Sequence, residues 1–114
     1  GSEMCIRDRY HAAAVFASNY LVTVVDAALR AYEASGVPAQ VARELARPLA
    51  TEALANVFRL GPEAALSGPV ARGDFATVAR QQDAVSRWDA ATGKLYEALV
   101  PPTASLARRK HGKA

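Results

Sequence analysis

The sequence predicts an all-α domain, and three observations lead to this prediction. Alanine, the strongest helix former, occupies 26 of the 114 positions. Apolar residues recur at the helical spacings of three, four and seven, whereas alternating runs of Val, Ile, Thr and Tyr are missing. The 51% apolar and 22% charged residues exclude a disordered chain. We therefore expect a bundle of three long helices plus a short one.

The first long helix is predicted to run from about Tyr10 to Ala34. Gly36 comes just after it and offers the left-handed conformation that ends many helices. Residues 1–9 contain no alanine and differ in composition from the alanine-rich remainder of the chain. We interpret residues 1–9 as a non-native segment and residues 10–100 as a single helical domain, a fragment of a larger protein.

The second helix is predicted from about Pro38 to Arg59. Pro38 suits the first turn of a helix. Pro48 lies inside the segment, where its ring clashes with the preceding turn, so a kink is expected there. Pro62 then starts a short helical turn.

A loop and a last helix complete the predicted bundle. The loop SGPVARGD occupies residues 67–74, and Asp74 is placed to cap the next helix. This last helix is predicted from about Phe75 to Leu99, and Pro101–Pro102 is expected to stop it.

Positive charge is concentrated at the C-terminus. The net charge is +3, and four cations fall in the last seven residues: Arg108, Arg109, Lys110 and Lys113. The rest of the chain carries no excess of positive charge, so no nucleic-acid partner is expected. We interpret residues 101–114 as a flexible basic tail, with an arm that binds nucleic acid or membrane as the alternative.

The longest apolar stretch runs from Ala12 to Leu29 and contains Asp26. An aspartate near a bilayer centre costs about 2.5–3.5 kcal/mol on insertion scales, and alanine adds little to offset that cost. We therefore expect a helix buried in protein and no membrane partner.

Signals for a bound metal or nucleotide are scarce. Cys5 is the single cysteine, which excludes an internal disulfide and agrees with a cytoplasmic protein. No histidine and carboxylate pair has convincing metal-ligand spacing, so no metal site is expected. The seven glycines nowhere form G-x-G-x-x-G or a P-loop, so this chain alone is expected to bind no cofactor.

Three polar side chains share a surface of the otherwise apolar first helix. His11 and Ser18 fall near one face, with Asn19 on its edge. Unpaired burial of such groups costs about 1–3 kcal/mol each, so they pair internally or meet a ligand. Either Ser18 and Asn19 bond across a helix interface, or the three groups line a cleft where His11 moves a proton.

The loop at residues 67–74 is the second candidate site. Backbone amides around Ser67 and Gly68 could cradle a carboxylate or phosphate, and the guanidinium of Arg72 could bind two oxygens at once. The alternative is a plain helix connection in which the glycines supply positive φ and Arg72 is solvated.

Two strings carry a resemblance to one family. YHAAAVFASNYLV (residues 10–22) and LGPEAALSGPVARGD (residues 60–74) resemble the C-terminal helical domain called domain of unknown function 2520, found behind an NAD(P)-binding Rossmann domain. The family is similar to pyrroline-5-carboxylate reductase, ketopantoate reductase and other 6-phosphogluconate-dehydrogenase-like enzymes. A fold like the C-terminal domain of those enzymes is therefore implied.

The resemblance implies the substrate-binding and dimerisation domain of an NAD(P)-dependent oxidoreductase that acts on a small molecule as a homodimer. NAD or NADP would be bound mainly by a Rossmann domain missing from this sequence. The implied site consists of His11 and Asn19 as catalytic residues and, as substrate-binding residues, Ser18, Ser67, Gly68 and Arg72. The alternative is a non-enzymatic helical dimerisation or interaction module, because a small bundle struggles to cover so apolar a first helix.

Overall fold

Helices account for nearly all of the chain. A computed structural model describes residues 2–112, and within that range it contains six α-helices and no strand, which confirms the all-α prediction. The helices are α1 (Ser2–Ala17), α2 (Asn19–Ala34), α3 (Ala39–Leu60), α4 (Pro62–Ala65), α5 (Phe75–Trp88) and α6 (Ala90–Gly112). The chain divides into two compact units, unit 1 (residues 1–46) and unit 2 (residues 47–114), with the boundary inside α3.

The predicted first helix is interrupted at Ser18. In a regular helix the amide of Ser18 would donate to the carbonyl oxygen of Ala14. Instead the hydroxyl of Ser18 donates to that oxygen at 2.6 Å, and its amide donates to the carbonyl of Val15 at 3.4 Å. A serine that competes with its own backbone in this way bends or breaks a helix. The expected single helix is therefore two, α1 and α2.

The end of α2 agrees with the prediction. Gly36 has φ of 94°, and its amide donates to the carbonyl of Glu33 at 3.0 Å. The amide of Val37 reaches back to the carbonyl of Tyr32 at 3.1 Å, which completes a Schellman motif. The glycine cap of this helix is thereby confirmed, and α3 starts two residues later.

The apolar helix of unit 1 is exposed. No residue of α2 is buried, and the side chains of Phe16 and Val22 are each 69% exposed. This chain alone therefore does not bury the helix. By length and composition alone, Glu3–Ala34 is also apolar enough to cross a membrane. The buried residues of unit 1 are Ala42 and Ala46, one turn apart in α3.

In unit 2, α5 and α6 pack closely because of a glycine. A Cβ added to Gly93 would lie 2.6 Å from the Cα of Ser86, closer than real side chains approach. Both helices also contribute buried residues to this unit, among them Val78 of α5 and Thr92 of α6. Gly93 therefore permits a backbone approach that no other residue allows.

The predicted last helix also divides in two. Asp89 adopts an extended conformation, and its carboxylate accepts from the amide of Thr92 at 3.1 Å, so it caps the start of α6. The same Asp-x-x-Thr pattern starts α5, where Asp74 accepts from the amide of Thr77 at 3.2 Å. The cap at Asp74 is confirmed, whereas the one at Asp89 was not expected.

The expected stop at Pro101–Pro102 is wrong, because α6 continues to Gly112. The prolines leave the carbonyls of Glu97 and Ala98 without amide donors, and both residues are exposed, so water can reach them. The hydroxyl of Thr103 donates to the carbonyl of Leu99 at 2.7 Å. The residues predicted as a flexible tail are therefore helical as far as Gly112.

The end of α6 is held against the rest of unit 2. Nε of Arg109 lies 3.5 Å from a carboxylate oxygen of Glu63, and Nζ of Lys110 donates to the carbonyl of Ala64 at 3.2 Å. Ala107 is buried. These basic residues thus make tertiary contacts with α4 and do not form a solvated arm.

Candidate functional site

The loop at residues 67–74 folds tightly on itself. The amide of Arg72 donates to the carbonyl of Gly68 at 3.2 Å, and the amide of Asp74 donates to the carbonyl of Pro69 at 2.8 Å. Positive φ values at Gly68 and Gly73, 95° and 72°, permit this path. Since these amides bond within the loop, the hydrogen-bond donors that Arg72 can offer a ligand are those of its side chain.

Asp74 fixes the junction between this loop and α5. Its carboxylate also accepts from the hydroxyl of Thr77 at 2.7 Å. The two hydrogen bonds from Thr77, and then the charges of Arg80 and Arg72, lower the pKa of Asp74 below its usual value. The carboxylate is therefore ionised at neutral pH and anchors the first turn of α5.

A cavity of 220 Å³, the apolar cavity, opens on one side of the loop. The residues lining it are Ser67, Pro69, Val70, Gln81, Tyr96, Leu99, Val100 and Thr103. The phenol of Tyr96 donates to the side-chain oxygen of Gln81 at 2.7 Å, which joins α6 to α5. Burial raises the pKa of Tyr96, so its hydroxyl stays protonated as a donor.

A second cavity of 590 Å³, the basic cavity, opens on the other side. The residues lining it are Val70, Ala71, Arg72, Gly73, Phe75, Ala104, Ala107, Arg108 and His111. Those from α6 are spaced by three, four and seven positions, so they form one helix face. The small Ala104 and Ala107 leave open space, and the guanidinium groups of Arg72 and Arg108 supply nitrogen donors around it.

The ring of His111 is fixed by a hydrogen bond to the loop. Its Nε2 lies 2.9 Å from the carbonyl oxygen of Ala71. A carbonyl oxygen only accepts, so Nε2 carries the hydrogen and the tautomer is determined. The loop and the last turn of α6 are thereby joined at the wall of the basic cavity.

The family model for a domain of unknown function (DUF2520) matches residues 4–103. This chain belongs to the DUF2520 family. No curated protein and no solved structure matches the chain. The DUF2520 match includes both strings that carry the resemblance, and it also includes residues 4–9, whose composition had suggested a non-native segment.

Of the residues predicted on the first helix, the structure brings two together. Oγ of Ser18 lies 3.1 Å from the side-chain oxygen of Asn19. The hydroxyl bonds within its own helix segment, to Ala14, and not across a helix interface. His11 lies about two turns earlier on α1, exposed, with its ring in edge contact with that of Tyr10.

The predicted residues of the loop line two different cavities of the DUF2520 domain. Ser67 lines the apolar cavity and Arg72 lines the basic cavity, with Gly68 at the turn between them. Within residues 2–112, no group of three or more His, Cys, Asp or Glu side chains is placed to hold a metal ion.

Sequence reasoning missed Arg108 and His111, because both were assigned to a flexible tail. Both lie beyond the end of the DUF2520 match at residue 103. The signal that could have found them is the spacing of Ala104, Ala107, Arg108 and His111, which continues a helical period past the two prolines.

Proposed function

We propose that this chain is the substrate-binding and dimerisation domain of an NAD(P)-dependent oxidoreductase. The observation that carries the substrate-binding part is the basic cavity, because part of its lining belongs to the loop string that carries the resemblance. A concave site with a few convergent polar groups and apolar walls is the usual form of a small-molecule site. The oxidoreductase part is supported by the resemblance of the two strings to domains that follow a Rossmann domain.

The residues that the structure describes do not fit NAD or NADP. A dinucleotide site requires a strand, a glycine-rich turn and a helix in succession. Residues 2–112 contain no strand, and their glycines lack the required spacing. The proposal therefore assigns the cofactor to a separate Rossmann domain, and this chain contributes side chains to the substrate.

In this proposal His11 moves the proton of the reaction, and Ser18 and Asn19 orient a polar group of the substrate. All three side chains are exposed, so a ligand or a second domain can reach them. The break at Ser18 supports a role for this segment, because interrupted helices occur frequently at functional sites. In unit 2, Arg72 is proposed to bind a negatively charged group at the basic cavity.

Dimerisation is proposed to use the exposed apolar surface of α1 and α2. Phe16 and Tyr20 contact each other edge to face with ring centroids 5.5 Å apart, and both are exposed. Burying one such side chain stabilises an association by about 1.5–3 kcal/mol. A second copy of this surface would cover these side chains in a symmetric interface.

The cofactor experiment uses the complete gene product with its native upstream sequence, titrated with NADPH and NADH by fluorescence. We expect saturable binding by the complete protein and none by the present chain. His11→Ala and Asn19→Ala should leave cofactor binding unchanged, because the cofactor contacts the other domain. Absence of binding by the complete protein contradicts the oxidoreductase proposal.

The dimer experiment compares Phe16→Ser with Phe58→Ser by sedimentation equilibrium. Phe58 is a matched control because it is also an exposed phenylalanine, at 86%, but lies in α3. Phe16→Ser should weaken self-association at least about tenfold, consistent with the loss of one buried aromatic side chain. Equal effects of the two variants, or a monomeric wild type, contradict this part of the proposal.

The second candidate function is a non-enzymatic helical interaction module, favoured by the same exposed surface. It predicts a dimer that Phe16→Ser weakens, together with a complete protein that binds neither cofactor. A wild-type chain that is monomeric and co-sediments with lipid vesicles would instead favour a membrane role for Glu3–Ala34.

A further inference from the structure

We propose that the basic cavity binds a small organic molecule carrying a doubly charged oxyanion group, held by Arg72 and Arg108, while His111 joins the loop to the C-terminal turn of α6. The assignment of this molecule as the substrate rests on the function proposed above, whereas the anion binding itself does not. The sequence expectation placed a carboxylate or phosphate at Arg72 and at the backbone amides around Ser67 and Gly68, whereas Arg108 and His111 come from the C-terminal turn of α6.

The two guanidinium groups reach the cavity from different elements of unit 2. Arg72 comes from the loop and Arg108 from α6, where it shares a face with His111 three residues later. In the part of the chain that the structure describes, neither guanidinium has a protein acceptor within hydrogen-bonding or ion-pairing distance. Two guanidinium groups that line one cavity and bind no protein acceptor favour a bound anion there.

The neighbouring cations of α6 behave differently. Arg109 pairs with Glu63 at 3.5 Å, and Lys110 donates to the carbonyl of Ala64 at 3.2 Å. These two residues hold the last turns of the helix against α4. Arg108 is consequently positioned by contacts that its neighbours make, and its own side chain is free for a ligand.

The carboxylate nearest to the site is already engaged. Asp74 ends the loop and its charge acts on Arg72, but both of its oxygens accept hydrogen bonds from Thr77. It therefore serves the start of α5 and leaves the donors of the Arg72 guanidinium for another acceptor.

His111 supplies a third polar group with a fixed orientation. Its Nε2 hydrogen is committed to the carbonyl of Ala71, which ties the ring to the loop. This contact joins the loop that carries Arg72 to the helix turn that carries Arg108. Such support lowers the entropy lost when both side chains bind one ligand.

The chemistry of the walls defines the ligand class. Each guanidinium binds two oxygens of one planar or tetrahedral oxyanion, so two of them match a phosphate monoester or a dicarboxylate. Val70 and Phe75 provide apolar wall for an organic body. A volume of 590 Å³ is in the range of about 300–1,000 Å³ that small organic ligands occupy, which is larger than free phosphate requires.

The test measures binding of inorganic phosphate and of succinate to the present chain by calorimetry, at constant ionic strength with chloride as the balancing anion. We expect saturable binding of at least one dianion. Arg72→Gln and Arg108→Gln should each weaken it about tenfold or more, because each removes charge-assisted hydrogen bonds. Tighter binding of phosphate indicates a phosphorylated substrate, and tighter binding of succinate indicates a dicarboxylate.

Arg87→Gln is the matched control. Arg87 is an exposed arginine of α5 that pairs with Asp83 at 3.0 Å and lies outside the cavity lining. It should leave the affinity unchanged, and circular dichroism of all three variants without anion should show the same helix content. Absence of saturable binding to either dianion, or an equal loss in Arg87→Gln, overturns the anion site. A complete protein that fails to bind NAD(P)H overturns the proposed function instead, so the two failures are distinguishable.

Discussion

Unit 1 and unit 2 are both built from alanine-rich helices. The helices α5 and α6 of unit 2 pack against each other, whereas the apolar helix α2 of unit 1 stays exposed. In unit 1, α2 has no buried residue, and its neighbour α1 presents bulky aromatic side chains to solvent. In unit 2, α5 and α6 bury Val78, Thr92, Gly93 and Ala107. Alanine content therefore accounts for helix formation in both units, but not for packing.

The two units differ in packing because unit 2 has a small residue, Gly93, at the contact between two helices. Gly93 lets the backbone of α6 approach Ser86 of α5, so a helix pair forms within unit 2. The helices α1 and α2 are joined end to end at Ser18 and present their large side chains outward. Unit 1 thus offers a surface for a partner, whereas unit 2 encloses cavities of its own.

Of the substitutions that test this difference between the units, Gly93→Ala is expected to change the free energy of unfolding most. The added methyl group meets the Cα of Ser86, and such overpacking costs about 1–3 kcal/mol, against about 1 kcal/mol gained in helix propensity. We expect a net loss of up to about 2 kcal/mol in the free energy of unfolding, measured with urea. Gly112→Ala, also in α6 but with open space around it, should be nearly neutral. Equal stabilities of the two variants would show that α5 and α6 do not pack this closely.

A smaller effect, of opposite sign, is expected in unit 1 from Ser18→Ala. Without the hydroxyl, the amide of residue 18 can donate to the carbonyl of Ala14 and α1 can continue into α2. Helix content should rise, and the free energy of unfolding should increase by about 0.5 kcal/mol. The control is Ser35→Ala, which removes the same type of bond, to Ala31 at 2.9 Å, at the end of α2 where the helix stops. A gain in both variants would contradict the role of Ser18 in the break.

The smallest effect concerns the cap of α5 and depends on pH. The pKa of Asp74 is below its ordinary 3.8 in the folded chain, so its stabilising contribution is present above pH 3.8 and is lost as the pH falls through the lower, folded value. Asp74→Asn keeps a capping side chain but not the charge. The Tm of this variant should be slightly below wild type at pH 7.

The margin between wild type and Asp74→Asn should shrink as the pH falls below 3.8, as monitored by thermal melts. Asp83→Asn is the control, since that carboxylate pairs with Arg87 on the surface and caps no helix. A margin that stays constant down to pH 2 would mean that the charge of Asp74 does not stabilise α5.

Local signals predicted much of the fold, because some residues determine their own surroundings. Gly36 takes positive φ, Pro62 begins a helix and Asp74 caps one, each by the conformation or hydrogen bonds of a few neighbouring residues. The interruption at Ser18 was missed because a serine hydroxyl only sometimes displaces its own amide, and the composition around it favours an unbroken helix.

Other features depend on distant contacts and could not be inferred from local sequence. The continuation of α6 through Pro101–Pro102 goes against local preference and is supported by packing on both sides of the prolines. For the same reason, only part of the lining of the basic cavity could be predicted from the sequence. Arg72 was found through its loop, but Arg108 joins it only because the helix persists.

Because α6 continues through Pro101–Pro102, it also fixes the spacing and direction of the side chains on either side of the two prolines. Each residue of a helix turns the direction of the side chain by about 100°. Residues of α6 up to Thr103 line the apolar cavity and later ones line the basic cavity, so the continuous helix fixes the directions of the two sets relative to each other. Inserting or deleting one residue near Thr103 would rotate Arg108 and His111 away from the loop. A change in the length of this segment should therefore disturb the basic cavity more than a substitution within it.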